Sequence, residues 1–427
     1  MSQRNVVCLA IVVTIAILFY LLTPMVAEQD SVYRTFAPLV EVDAIVKRNF
    51  VFPLQGRRLV DGAIRGLMLD LDPYSGYIAP EQMRAFERRH TGEYIGIGVE
   101  LGLRIGDVVV IAPLEQGPAI EAGVRPGDIV LAVEGRSVQD LSIPDVEGLL
   151  AGEPATIVEL KLRRADGEVY VRAIKRTPIK RQTVKGIRRH PDGAWDFCLD
   201  AERHVGYIRI SHFDEGTSDD FDAALRDVTR RGGTSLVIDL RFNPGGVFPE
   251  AVAMVDRFID SGIIVTTVRR RQAIDTYHAA RRNVDTDMQL AVLLNGGSAS
   301  ASEIFAGALQ DHGRAIVIGE RSFGKGSVQD FIRLAGGEAG IKLTVAHYQL
   351  PRGRIIHKTP QNVESDEWGV VPDVAVPVQQ SVYDAIRRRW AHADRSAMPG
   401  VAADDTETTS LIDPQLKAAI EKLTAAR

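Results

Sequence analysis

The first apolar block runs from Val6 to Leu22 without a charge and follows Arg4. About seventeen residues is the lower limit for a membrane-crossing helix and long for the core of a signal peptide. Residues 1–27 are therefore expected to be a signal peptide or an N-terminal membrane anchor. From about Ser31 to His90 the period is helical: Phe36, Leu39, Val40, Ile45 and Val46 recur at helical spacing, as do Leu59, Ala63, Ile64, Leu67 and Leu71. Asp72-Pro73 stops the second run, and Pro80 opens a third short helix.

From Tyr94 to about Thr177 the pattern changes to short β-type runs between glycines: 95–101, 108–111, 129–133, 157–162 and 169–174. Two helical stretches, 118–122 and 144–150, interrupt them. Further on, the runs 205–210, 236–240, 263–268, 290–294 and 315–318 alternate with helical stretches 219–230, 248–259 and 300–310. That order predicts βα units and a mostly parallel sheet. A helix near 382–390, a polar linker at 404–409 and a last helix from Asp413 complete the pattern. The expected organisation is a multi-domain α/β chain: a helical region over 28–91, a β-rich module over 92–177, a mixed, mostly parallel core over 178–378 and a helical tail over 379–427.

Composition narrows the function. With 427 residues, 45% apolar and 25% charged, the chain is of ordinary globular composition and long enough for two to four domains. Lys plus Arg is 51 against 56 for Asp plus Glu, a net charge of −5. No basic footprint for nucleic acid results. Cys8 and Cys198 cannot form a disulfide framework, and the nine histidines have no zinc-ligand spacing, so no metal or cofactor is expected. Cys8 opens the apolar run instead of following it, unlike a lipoprotein attachment site. The remainder of the chain is expected outside the cytoplasm, with Cys198 as buried packing.

Three glycine-marked turns follow strands of the expected sheet: Asn243-Pro244-Gly245-Gly246, Asn295-Gly296-Gly297-Ser298 and Ser322-Phe323-Gly324-Lys325-Gly326. Loops at the carboxyl ends of parallel strands are where α/β sheets build sites, so the three are expected to converge. Ser300 stands three residues before Glu303, a capping box that by itself accounts for the pattern. The same position also sets a hydroxyl beside free N–H groups and the positive end of a helix, which suits a nucleophile. Its base is a choice between His312 and Lys325. His312, about three turns down the same helix, points away from the helix start. Lys325 is a solvated loop lysine unless burial depresses its pKa, since an ordinary lysine is neutral in about one molecule in 2,500 at pH 7. Two rival motifs fail. Gly326 replaces the Ser/Thr of a phosphate loop and is followed by a strand pattern. Ser322-Phe323-Gly324-Lys325 lacks the companion motifs of penicillin-recognising enzymes.

The stretches Asp239-Leu-Arg-Phe-Asn-Pro-Gly-Gly246, Asn295-Gly-Gly-Ser-Ala-Ser-Ala-Ser-Glu303 and Ser322-Phe-Gly-Lys-Gly-Ser-Val-Gln329 resemble the carboxyl-terminal processing peptidases, or tail-specific proteases. Leu71-Asp72-Pro73-Tyr74-Ser75 resembles the family as well, and Gly117-Pro118-Ala119 with Ala122-Gly123-Val124-Arg125-Pro126-Gly127-Asp128 resembles its PDZ signature. The likeness spans roughly 32–376 and implies a PDZ-like module at 92–177 and a protease core at 178–378. It further implies a serine endopeptidase in which Ser300 is the nucleophile and Lys325 the general base. Gln329 would orient the lysine, and the N–H groups of Ala301 and Gly246 (with Gly245 the other choice) would form the oxyanion hole.

Ile95-Gly96-Ile97-Gly98 resembles a carboxylate-binding loop that captures a chain end. The implied substrates are proteins or peptides with unstructured, apolar C-termini, and docking of such a tail is expected to move the module and align Lys325 with Ser300. Further partners are the membrane, through an uncleaved N-terminal segment, and a second copy of the chain or an activating adaptor. The link 357–368 is longer and more polar than the family pattern. Two other readings stand beside this one: a non-catalytic PDZ scaffold in which Ser300 is only a cap, and a Ser-His-Asp protease with a PDZ module, in which His312 is essential.

Overall fold

The computed structural model describes residues 34–425 apart from 53–56, 84–93, 105–106, 115–116, 140, 142, 165, 180, 191, 271, 281–286, 360, 364–366 and 396–412. The apolar segment Val6–Leu22 and the polar linker at 404–409 lie outside them. Among the described residues no helix is long and apolar enough to cross a membrane.

The chain divides into two units, Met1–Ala79 and Pro80–Arg427. The first holds helix α1 (34–49), helix α2 (Arg58–Leu69) and strand β1 (Gly76–Ile78). The Asp72-Pro73 stop is an Asx turn: Asp72 Oδ1 accepts the N–H groups of Tyr74 at 2.7 Å and Ser75 at 2.8 Å.

The second unit begins with the β-rich module. Its elements are β2 (Tyr94–Gly96), β3 (Val99–Arg104), β4 (Asp107–Pro113), α3 (Pro118–Glu121), β5 (Ile129–Val133), β6 (Arg136–Ser137), α4 (Ile143–Leu150), β7 (Ile157–Arg163), β8 (Val169–Lys175) and β9 (Thr177–Ile179). The expected run 95–101 is broken at Ile97-Gly98, where Gly98 takes φ +71° and the chain changes direction into β3. Antiparallel pairing gives the order β3-β4-β5-β7-β8, and β2 pairs with β9 to close the module at its two ends. Alternating strand residues such as Val158, Leu160 and Leu162 bury one face against α3 and α4, through Ala119, Val146 and Leu150.

The core follows: β10 (Val184–Lys185), β11 (Arg188–Arg189), β12 (Trp195–Asp196), β13 (Cys198–Asp200), β14 (Val205–Ile210), α5 (Thr217–Arg230), β15 (Ser235–Asp239), α6 (Phe248–Val255), β16 (Ile263–Arg269), β17 (Gln272–His278), β18 (Gln289–Leu294), α7 (Ala301–Asp311), β19 (Ala315–Gly319), β20 (Ser327–Arg333), β21 (Gly340–Gln349), β22 (Val374–Ala375), α8 (Gln380–Arg395) and α9 (Pro414–Ala425). Strands β14, β15, β18, β19 and β22 run parallel in that order, with β10 and β13 antiparallel on the outer side of β14. Both faces of this sheet are covered, which is why its parallel strands are predominantly apolar, with Arg209 and Asp239 the charged exceptions. Ile208, Leu236, Ile238, Val292 and Val317 face α5, α6 and α7. Tyr207, Val237, Ala291, Leu293 and Ile318 face Leu416, Ala419 and Leu423 of α9. Burying a leucine is worth about 2 kcal/mol, so the last helix is part of the core and not a loose tail.

Two expectations are corrected, the sheet that the run 263–268 joins and the burial of Cys198. The run 263–268 does not join the parallel sheet: β16 pairs antiparallel with β17 on one side and β21 on the other, and β20 pairs with β21. The hairpin partner β17 is exposed along its whole length and has no apolar pattern to announce it. Cys198 is a free thiol and only partly buried, because it sits on the short edge strand β13.

Candidate active site

The loops at the carboxyl ends of the parallel strands do converge, and Asn243 knots them together. Its Nδ2 donates to Ile210 O at 2.8 Å at the end of β14, and its Oδ1 accepts the Gly245 N–H at 2.9 Å. Its carbonyl accepts the Ala299 N–H and the Ser302 hydroxyl, both at 3.0 Å, after β18. The Phe323 N–H donates to Ser298 O at 2.9 Å and brings in the loop after β19.

Ser300 stands where the second loop becomes α7, with φ 56° and ψ −115°. A side-chain-bearing residue in that region costs about 1–3 kcal/mol and persists only where its surroundings hold it. The Ala301 N–H opens the helix and has no partner within it. Among the described residues neither the Ala301 nor the Gly246 N–H meets an acceptor, whereas the Gly245 N–H is spent on Asn243. Gly246, at φ +143°, has no room for a side chain, since a Cβ there would fall 2.1 Å from Phe213 O. Gly245 lies against the serine: a Cβ on it would be 2.8 Å from Ser300 Cβ. The glycines thus let the loop pass directly beside Ser300.

The capping partner Glu303 does more than the sequence suggested. Its side chain is fully buried, and its carboxylate receives four donors. Oε1 accepts the Ser322 hydroxyl at 2.5 Å and the Gly324 N–H at 2.7 Å. Oε2 accepts the Ser300 N–H and the Lys325 N–H, both at 2.8 Å. The backbone nitrogens of Ser300 and Lys325 are therefore no more than twice 2.8 Å apart, bridged by one oxygen. Burial pushes the Glu303 carboxyl above its ordinary range, while the hydrogen bonds from Ser322, Ser300, Gly324 and Lys325 oppose that shift.

Lys325 is half-buried. Burial pushes its ammonium below the ordinary lysine range, the like charge of Lys342 adds to this, and Glu303 works the other way. The polar link after β21 packs on the same loop at Gly324. Its Lys358 N–H donates to Gly324 O at 2.8 Å, and the Trp368 ring, with Lys358 Nζ 4.0 Å and the Arg321 guanidinium 4.5 Å from its centre, lies over the same loop. Gln329 lies on β20 next to a bulge, and its Nε2 donates to Ser327 Oγ at 2.8 Å and Thr344 Oγ1 at 3.4 Å.

The remaining residues sort clearly. His312 caps the far end of α7, about 16 Å along the axis, and its Nε2 lies 2.7 Å from Ile263 O. His212, just before Phe213, turns Nε2 toward Asp214 Oδ1 at 3.4 Å. Ser322 is locked between Glu303 and the Val370 N–H (2.7 Å) and follows a strand, not a helix start. In the β-rich module Ile95, Gly96, Ile97 and Gly98 are all buried. Among the described residues the Ile97 and Gly98 N–H groups meet no acceptor, while both carbonyls are used, by Ala119 and Leu114.

Residues 204–376 match the family model for peptidase family S41, and 109–164 match that for the PDZ domain. The carboxy-terminal-processing protease of Bartonella bacilliformis is 33% identical over 356 residues, covering 82% of this chain and 76% of that protein. The chloroplastic C-terminal processing peptidase of Tetradesmus obliquus is 35% identical over 335 residues, 75% of this chain and 69% of that protein. Among solved structures, a photosystem II D1 C-terminal processing protease is 31% identical and covers 79% of this chain and 92% of its own, with a TM-score of 0.47. With a serine loop at the carboxyl ends of its parallel strands and relatives of this identity and coverage, the chain belongs to the carboxy-terminal processing peptidases, serine-type enzymes of peptidase family S41.

Proposed function

We propose that the chain cleaves proteins by a Ser300–Lys325 dyad after capturing their C-terminal tails on the PDZ module. The observation that carries this reading is the single buried carboxylate of Glu303, which ties the backbones of a strained serine and a partly desolvated lysine to one oxygen. Neutral Lys325 takes the Ser300 proton as Oγ attacks the peptide carbonyl. The N–H groups of Ala301 and Gly246 receive the oxyanion. The lysine then protonates the leaving amine, and water releases the acyl group from Ser300. Gln329 stands on the strand that leaves the lysine loop and holds its position through Ser327 and Thr344. The test is mass spectrometry of an unfolded reporter with an apolar tail. Wild type should release fragments that Ser300→Ala does not, and equal cleavage by the two would remove the serine from the mechanism.

The base sets the pH dependence. Only the uncharged lysine accepts a proton, so kcat/KM should climb with pH along one ionisation. Because Lys325 is pushed down, its midpoint should lie below the ordinary lysine value of 10.5. A rate–pH profile on the reporter checks this; a midpoint at or above that value contradicts it.

Tail capture assigns the unpaired N–H groups of Ile97 and Gly98 to a terminal carboxylate, with the tail adding as a strand. Docking must first expose this buried turn, which is consistent with a module that moves when substrate arrives. Deleting 91–177 should slow cleavage of a tailed reporter at low concentration by about a hundredfold, the loss expected when a tethering site is removed. An undiminished rate would sink both capture and gating. The charge-free run Val6–Leu22 supports an extracytoplasmic site of action, membrane-anchored or secreted.

A further inference from the structure

The residues beyond the matched S41 segment close on the loop that carries Gly246. Asp239 ends β15 and Arg241 follows it, and both are buried, at 0% and 2% exposure. Charges this deep survive only when paired. The Arg241 guanidinium binds Asp239 through Nε (3.0 Å) and Nη2 (2.6 Å). Across 172 positions it also binds Asp413, through Nη1 (3.1 Å) and Nη2 (2.8 Å), and Gln415 Oε1 through Nη1 (3.0 Å). The Tyr207 hydroxyl completes Asp239 at 2.8 Å.

The next residue, Phe242, adopts φ 61°, and its N–H donates to Asn295 Oδ1 at 2.9 Å. Its ring is boxed by α8: Tyr383 edge-on at 5.1 Å, Trp390 at 6.1 Å and the Arg387 guanidinium 3.9 Å from its centre. Gln415 Nε2 joins the two helices by donating to Tyr383 Oη at 3.0 Å. Asp394 pins α8 to the sheet through Lys185 (2.8 Å) and Arg209 (2.7 Å). Asn243 and the glycines come directly after this clamped stretch. Two consecutive residues that set the direction of the loop, Arg241 and Phe242, are thus held by chain from 383 onward.

We infer that α8 and α9 form a positioning element for the Gly246 loop, acting through Asp413 and Gln415 on Arg241 and through Tyr383 and Trp390 on Phe242. The inference rests on the reading that the Gly246 N–H receives the oxyanion. An oxyanion donor works only within a few tenths of an ångström of its place, so a loosened clamp costs transition-state binding and leaves substrate binding alone.

The experiment uses the full chain with Asp413→Asn and, at the half-exposed rim, Trp390→Leu, which tests the same clamp if the first variant does not fold. For each, kcat, KM and the acylation burst are measured on the tailed reporter, together with inhibition by a peptide aldehyde, whose hemiacetal oxygen occupies the oxyanion position. The expected result is a kcat lower by about tenfold to a hundredfold at wild-type KM and full burst amplitude, with aldehyde affinity reduced by the same factor as kcat/KM. An unchanged kcat overturns the inference. So does a loss confined to burst amplitude, which would mean fewer folded molecules and no misplaced donor. Ser300→Ala measured alongside separates the two levels: if it still cleaves, the dyad itself is wrong, whatever the C-terminal variants do.

Discussion

Replacing Lys325 by methionine should leave a folded protein whose cleavage of a tailed reporter is slower by about 10⁴. Methionine matches the apolar stem and removes only the amine, which burial already disfavours in its charged form. Dropping a charge that burial disfavours should not lower the thermal midpoint. Ser300→Ala should lose a similar factor, and the double variant should lose little more, because the two groups act as one unit. Steady-state kinetics with calorimetry on the three variants checks this. Additive losses would mean that serine and lysine work in separate steps. Retention of activity by Lys325→Met would move the base elsewhere, and His212→Gln would then be the variant to examine.

The second large effect is expected at Glu303. A glutamine there keeps the shape but offers one acceptor oxygen where four donors converge. Whichever way the amide is turned, its NH2 faces N–H or O–H donors. With the amide oxygen toward Ser322 and Gly324, the N–H groups of both Ser300 and Lys325 are left without an acceptor. Unsatisfied buried donors cost about 1–3 kcal/mol each, so Glu303→Gln should lose about 3 kcal/mol of stability. Misplacing nucleophile and base together should lower kcat by about 10² to 10³ in the molecules that remain folded. Denaturation and active-site titration on one preparation separate the two losses. A variant of full stability and full kcat would show that the shared carboxylate is not what aligns the pair.

The parts of this molecule that sequence reveals are those whose cause is local. Leu290–Leu294 is apolar throughout, and Leu236–Leu240 is apolar but for Asp239, because helices cover both faces of their sheet, and that signature is legible without coordinates. The run 263–268 carries the same signature yet lies in an antiparallel sheet, since an apolar run reports burial and not pairing partner. Its hairpin mate β17 is solvent-exposed and left no pattern to find.

The site divides in the same way. The three glycine turns, Ser300 and Lys325 stand out in the chain as written, and Glu303 was visible only as the local partner of a helix cap. Its bonds to Ser322, Gly324 and Lys325, 19 to 22 positions away, depend on the loop after β19 folding over the start of α7. Farther still, Arg241 and Asp413 meet only because α9 packs on the face of the sheet away from α7. Neither the positive φ of Phe242 nor that of Ser300 is announced by residue type, because the surrounding contacts impose both.

The most direct measurement is peptide mapping of the acyl-enzyme trapped by acid quench during turnover of a tailed ester reporter, on wild type and on Lys325→Met. The account predicts the acyl group on the Ser300 peptide of the wild type within the burst phase and almost none on the variant over the same time. An adduct on any other residue, or equal acylation of Ser300 with and without the amine, would contradict it.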